Sequence, residues 1–197
     1  VEIGEDMETS GKHLLALIDD LLDFSKIEAG RMALNFETFS LKTLVDEVVS
    51  NVEVIADKKG LAIHTRIEDL DITADPVRLK QILLNILGNS VKFTDQGEIN
   101  FVVEKKGEMV SFRIQDTGCG IAENDLPIIF DSFRQADASV TRSASGTGLG
   151  LAITKKLVEM HDGSIFAESI LGQGTIITFT LPIIPPKGKN VTDFHMW

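Results

Sequence analysis

The stretch "SASGTGLGLAITKK", Ser143 to Lys156, sets Gly146, Gly148 and Gly150 at alternate positions directly before a run with helical apolar spacing. A dinucleotide-binding βαβ unit requires G-x-G-x-x-G after a strand, and counted from Gly146 and Gly148 the third glycine position is Leu151. A P-loop ends in Gly-Lys-Ser/Thr, and nothing of that kind closes this run. Both common glycine-loop nucleotide folds are therefore disfavoured. What remains is general: these glycines permit positive φ and close backbone approach, and the helix that follows offers its free N–H groups and dipole to a phosphate. The same residues would also serve as a flexible turn ahead of a packed helix.

With 197 residues, 43% of them hydrophobic, the chain can bury about 70% of its unfolded surface, enough for one domain and an appendage. Cys119 is the only cysteine, which rules out a disulfide framework and fits a reducing, cytoplasmic setting. A net charge of −11, with Lys and Arg scattered, provides no basic stripe for nucleic acid. An anionic small ligand would need local donors. No segment approaches the about 18 apolar residues of a membrane span, and "VEIGEDMETSG" lacks the basic start and apolar core of a signal peptide. The expectation is no membrane contact by these residues, even if a longer parent is membrane-anchored.

Periodicity divides the chain into three parts, residues 1–30, 31–183 and 184–197. In the first, Leu14, Leu17, Ile18, Leu21, Leu22 and Ile27 repeat at helical spacing, close to a heptad seam, so this helix is expected to pack against another helix or another chain. In the second, "MALNFETF" alternates like a strand, and a helix then runs from the N-cap Ser40 to a stop at Gly60. "LAIHTRI" and "LDITAD" are short strand candidates, and Pro76 opens the helix "VRLKQILLNILGNSVKF". "GEINFVVEKK" and "EMVSFRIQD" form a hairpin about Gly107. Residues 123–146 read as a long mobile loop with a short helical start, followed by the helix "LGLAITKKLVEMH" and the strands "SIFAES" and "TIITFTLPI". The tail "PPKGKNVTDFHMW" has no periodicity and reads as a linker remnant or vector-derived.

In the helix after Pro76, Asn85, Asn89 and Lys92 fall within roughly 60° of one another at about 100° per residue, away from the apolar face. Helix interiors disfavour asparagine. An amide oxygen for Mg²⁺ and an ammonium for phosphate would explain the set, and so would a solvated polar face. In "DTGCGI", Asp116 ends a strand beside Gly118 and Gly120. A carboxylate there can accept from an exocyclic amine such as adenine N6, with the glycines giving the base edge room, or it can belong to an ordinary turn.

In their joint order, the asparagine helix, "DTGCGI", "IFDSFRQAD", "GTGLGLAI" and "GQGT" resemble the catalytic ATP-binding domain of sensor histidine kinases. That domain belongs to the GHKL superfamily shared with DNA gyrase, heat-shock chaperones and mismatch-repair ATPases. The likeness runs from about residue 36 to 182, and "HLLALIDDLLDFSKIEAGRM" resembles the second helix of the kinase dimerisation hairpin. The resemblance implies an α+β, two-layer sandwich (the Bergerat fold), with a mixed, mostly antiparallel sheet covered on one face by helices and preceded by one long helix. It implies ATP and Mg²⁺ as ligands, Asp116 as adenine reader with Gly118, Gly120 and Ile121 around it, and Asn89 as metal ligand. Asn85 and Lys92 become catalytic, phosphate-side contacts. Gly146, Thr147, Gly148, Leu149, Gly150 and Leu151 become the hinge of an ATP lid, Phe130 and Phe133 its aromatic anchors, and Thr175, with Gly172 and Gly174, a supporting turn.

The resemblance also implies three partners in an intact, homodimeric parent: the hairpin bearing the acceptor histidine, a second copy, and a response-regulator receiver domain that takes the phosphoryl group on aspartate. The acceptor motif, His followed by an acidic residue, a basic residue and Thr-Pro, is absent from this sequence. His13 precedes "LLALI" on the hairpin's second helix, His64 lies in a strand, His161 near a helix C-terminus where it can meet the dipole, and His195 in the tail. The chain thus reads as a fragment holding the ATP site without the group that ATP phosphorylates. Two alternatives stand beside a kinase: a GHKL ATPase and a non-catalytic nucleotide-gated module. The ATPase relatives place a glutamate where this chain has Asn85, and an amide cannot activate water as that carboxylate does.

Overall fold

The computed structural model describes residues 2–134 and 148–186 and, within these, the side chains other than those of residues 2–10, 12, 13 and 16. Helix α1 (Glu2–Glu28) leads into strand β1 (Glu37–Ser40) and helix α2 (Leu41–Lys59). Strands β2 (Ala62–Ile67) and β3 (Asp71–Ala74) precede helix α3 (Pro76–Phe93) and the hairpin of β4 (Glu98–Lys106) and β5 (Met109–Asp116). After a short 3₁₀ turn at Leu126–Ile128 come helix α4 (Gly150–Met160) and strands β6 (Ser164–Ile170) and β7 (Gly174–Pro182).

Local chemistry sets the helix ends. Ser40 is extended and its hydroxyl accepts the Thr43 N–H, while Gly60, at φ 70°, closes α2 in the left-handed region. Asp75 caps α3 through the Arg78 N–H at 3.0 Å, with Pro76 as the first helical residue.

Five strands form one mixed sheet in the order β2-β4-β5-β7-β6, while β1 and β3 pair as a separate two-stranded ribbon. Only the β2–β4 pair is parallel; β4–β5, β5–β7 and β6–β7 are antiparallel. Alternate residues on one sheet face, among them Ile99, Phe101, Phe112, Ile114 and Phe179, are buried beneath Val45, Val48, Ile82, Leu83, Ile86 and Leu157 of the helices. Phe112 and Phe179 stack at 4.3 Å between centroids. Each such side chain contributes about 1.5–3 kcal/mol on burial, so the helix–sheet interface is the main stabilising layer.

The strand expected across "MALNFETF" begins its ladder only at Glu37. Just upstream, the Asn35 N–H donates to Asp75 Oδ2 at 2.9 Å instead of to a neighbouring strand. His161 also departs from expectation. Rather than meeting a helix dipole as a cation, it is 2% exposed, its Nδ1 lies 2.7 Å from the Leu157 carbonyl, and its Nε2 accepts the Asp75 N–H at 3.1 Å. An accepting Nε2 carries no proton, so the ring is neutral and Nδ1–H is the donor. It ties the end of α4 to the cap of α3.

Among the described side chains, helix α1 joins the core near its C-terminus, where Phe24 and Ile27 pack and Asp23 Oδ2 accepts from Arg78 Nη1 at 2.7 Å and Gln81 Nε2 at 3.0 Å. Leu14, Leu15, Ile18, Leu21 and Leu22 stay 45–62% exposed. Among the described residues no helix is long and apolar enough to cross a membrane.

Candidate functional site

Asp116, the last residue of β5, is 7% exposed. Its Oδ1 accepts the Gly118 N–H at 2.9 Å and the Thr175 N–H at 3.1 Å, and the Ser90 side chain of α3 also hydrogen-bonds the carboxylate. Burial pushes the carboxyl pKa up, and these three hydrogen bonds pull against that rise. The strand end, the loop after it, the start of β7 and α3 thus meet at one fixed carboxylate. Ser90 was not singled out from sequence. Its signal is a polar residue four positions after Ile86, on the apolar stripe of α3.

The glycines of "DTGCGI" allow close backbone packing of the loop. A Cβ on Gly118 would lie 2.5 Å from the Phe93 carbonyl and 3.0 Å from Asp116 Oδ1, and one on Gly120 would strike the Ile170 carbonyl. Their missing side chains let the loop close onto the end of α3 and onto β6. The Ile121 N–H donates to Ser169 Oγ at 2.8 Å, and the Ser169 and Thr175 hydroxyls are 2.9 Å apart, so Ile121 and Thr175 belong to one bonded turn. Thr94 Oγ1, fully buried and without a hydrogen-bond partner, lies 2.9 Å from where a Gly118 Cβ would fall. An orphaned hydroxyl beside a buried carboxylate fits a pocket completed by a polar ligand or a bound water.

On α3, Asn89 and Lys92 are half-buried. Desolvation lowers the Lys92 pKa, and its ammonium sits 5.1 Å from the Phe93 ring centroid. An ammonium partly stripped of water gains most from an arriving anion. Asn85 differs: its Nδ2 donates to Thr154 Oγ1 of α4 at 2.7 Å, and its Oδ1 is 2.5 Å from where a Gly150 Cβ would stand. The expected phosphate contact is therefore engaged as a brace between α3 and α4. Gly150 is glycine because Asn85 fills its place, whereas Gly148 is glycine for its φ of 68°.

Leu149 is buried at 3% and Leu151 packs against the core, fixing the start of α4. Phe130 is half-buried, but Phe133 is 63% exposed at φ 61°. Its ring meets Phe24 of α1 edge-on at 5.7 Å, and Phe24 in turn packs against the core. The Phe133 N–H donates to the Gly148 carbonyl at 3.0 Å. Gly146 and Thr147 lie outside the described residues. Among the described residues no cluster of three or more His, Cys, Asp or Glu could hold a metal. A cation here would rely on the Asn89 amide oxygen and on oxygens of its ligand.

Residues 74–185 match the family model described as histidine kinase-, DNA gyrase B-, and HSP90-like ATPase. The chain is similar to the non-motile and phage-resistance protein of Caulobacter vibrioides, 41% identical over 97% of the chain and 23% of that protein. It is similar to the circadian input-output histidine kinase CikA of Synechococcus elongatus, 44% identical over 88% of the chain and 24% of that protein. The chain thus spans about a quarter of the length of these curated relatives. Among solved structures, the crystal structure of full-length ShkA in complex with AMPPNP superposes with a TM-score of 0.79 at 35% identity, over 88% of this chain and 36% of ShkA.

Proposed function

Because the chain belongs to the histidine kinase-, DNA gyrase B-, and HSP90-like ATPase family, we propose that it binds ATP at Asp116 and presents the γ-phosphoryl group to a histidine, as the catalytic part of a sensor histidine kinase. The observation that carries this reading is the Asp116 carboxylate, 7% exposed and oriented by the N–H groups of Gly118 and Thr175. A carboxylate accepts only, so it matches the exocyclic amine of adenine and repels the carbonyl of guanine at the same place.

On the phosphate side, Lys92 supplies charge and the start of α4 supplies backbone N–H groups. Bound Mg²⁺, held by Asn89 Oδ1, would neutralise phosphate charge. Asn85, an amide already donating to Thr154, has no means of taking a proton from water. That disfavours the ATPase alternative and leaves catalysis to positioning and electrostatics. The receiving histidine, on a dimerisation hairpin, and a response-regulator receiver domain are the partners of this reading, in a homodimeric parent.

Calorimetry tests the site. ATP with Mg²⁺ should bind more tightly than GTP, and Asp116→Asn should weaken it by about 1–3 kcal/mol through loss of a charge-assisted hydrogen bond. Equal affinity for the two nucleotides overturns the assignment.

A further inference from the structure

Helix α3 ends without the left-handed glycine that closes α2, since its C-cap Thr94 is extended at φ −108° and ψ 117°. Its last carbonyls therefore need partners from elsewhere in the fold. The Lys59 ammonium, at the end of α2, supplies them. Nζ donates to the carbonyls of Val91 at 2.8 Å, Lys92 at 3.0 Å and Thr94 at 3.0 Å, which uses all three of its N–H groups. The Phe93 carbonyl takes the Cys119 N–H at 3.1 Å. The terminal turn of α3 is thus stitched on one side to α2 and on the other to the loop that follows Asp116.

We propose that Lys59 is a positioning residue of the nucleotide site, fixing the turn that carries Lys92 and follows Asn89 against the Asp116 loop. The inference rests on the nucleotide reading of that site. A surface ion pair does not account for the arrangement: Asp95 Oδ1 is 3.7 Å away and its side chain is 99% exposed, a geometry worth little. Three carbonyls at a helix C-terminus, where a cation is favoured, do account for it. Ser90 of α3 also reaches the Asp116 carboxylate, but the Gly118 and Thr175 N–H groups that hold it do not involve Lys59, so loss of the ammonium acts mainly on the phosphate side.

The test compares wild type, Lys59→Met and Lys59→Arg by titration with AMPPNP plus Mg²⁺ and, separately, with adenosine, each variant being checked for folding by circular dichroism. Lys59→Met should bind AMPPNP about tenfold more weakly, the loss of one charged hydrogen-bond set, with adenosine affinity unchanged. Lys59→Arg, which keeps the charge and the donors, should recover most of the loss. If Lys59→Met does not fold, Lys59→Gln, with two neutral amide donors, carries the same comparison. Wild-type AMPPNP affinity in a folded Lys59→Met, or equal weakening of both ligands, overturns the proposal. Failure of the wild type to bind either ligand is a different result, and it overturns the nucleotide site itself.

Discussion

At Asp116, function and stability oppose each other. Its carboxyl pKa is raised above an ordinary 3.8 by burial, so ionising it costs more in the folded chain than in the unfolded one. The contribution of this group to stability is then greatest below the ordinary value, falls as pH rises through the raised one, and stays at the lower level at neutral pH. Asn at 116 can still accept from Gly118 and Thr175 without a buried charge. Asp116→Asn should therefore melt no lower than wild type at pH 7, with its advantage shrinking as pH is lowered to about 3, while adenine nucleotides bind more weakly. Thermal melts of both proteins across that range check the first part. A substitution that lowers melting and affinity together at pH 7 would make Asp116 structural.

Among the elements, those specified by neighbours in the chain were readable from sequence, and those specified from a distance were not. Ser40, Gly60, Pro76 and the Gly107 hairpin depend on residues a few positions away, and the helices and hairpin they bound stand where periodicity put them. The ribbon of β1 and β3 was not foreseen as separate, nor was the late start of β1, which depends on Asp75, 40 residues beyond Asn35. The same limit governs the site. Asp116, Asn89 and the glycine run could be picked out by type and order, but the engagement of Asn85 by Thr154, 69 residues on, leaves no local trace. That brace predicts a coupling. Gly150→Ala should destabilise the fold by about 1–3 kcal/mol, because its Cβ meets the Asn85 amide. Asn85→Ala in the same chain should return part of the loss, so a double-mutant cycle by denaturant unfolding should give a coupling well away from zero. Strict additivity would mean that α3 and α4 shift apart to relieve the contact.

For the molecule as a whole, the sequence has no His-acid-basic-Thr-Pro acceptor motif, and α1 leaves an apolar strip uncovered. Incubated with labelled ATP, the chain should form no acid-labile phosphohistidine and should hydrolyse ATP very slowly, since position 85 carries no base. Supplied with a separate dimeric hairpin bearing the acceptor histidine, it should become a phosphoryl donor. Phosphate incorporation with and without that hairpin decides the matter, and robust labelling of the chain alone on His13 would refute the reading of this chain as a donor to a separate histidine. The sheet order has a consequence for biosynthesis. Strand β5 is bordered by β7, with Met109 opposite Pro182, and not by β6, which is made before β7. During vectorial synthesis one edge of β5 stays open until β7 has left the ribosome, and the Thr175 N–H that orients Asp116 arrives with that strand. A prematurely terminated polypeptide would lack a finished nucleotide pocket while displaying a bare sheet edge, the kind of surface that chaperones and proteases engage. Ligand competence and release from quality control would then be reached in the same late step.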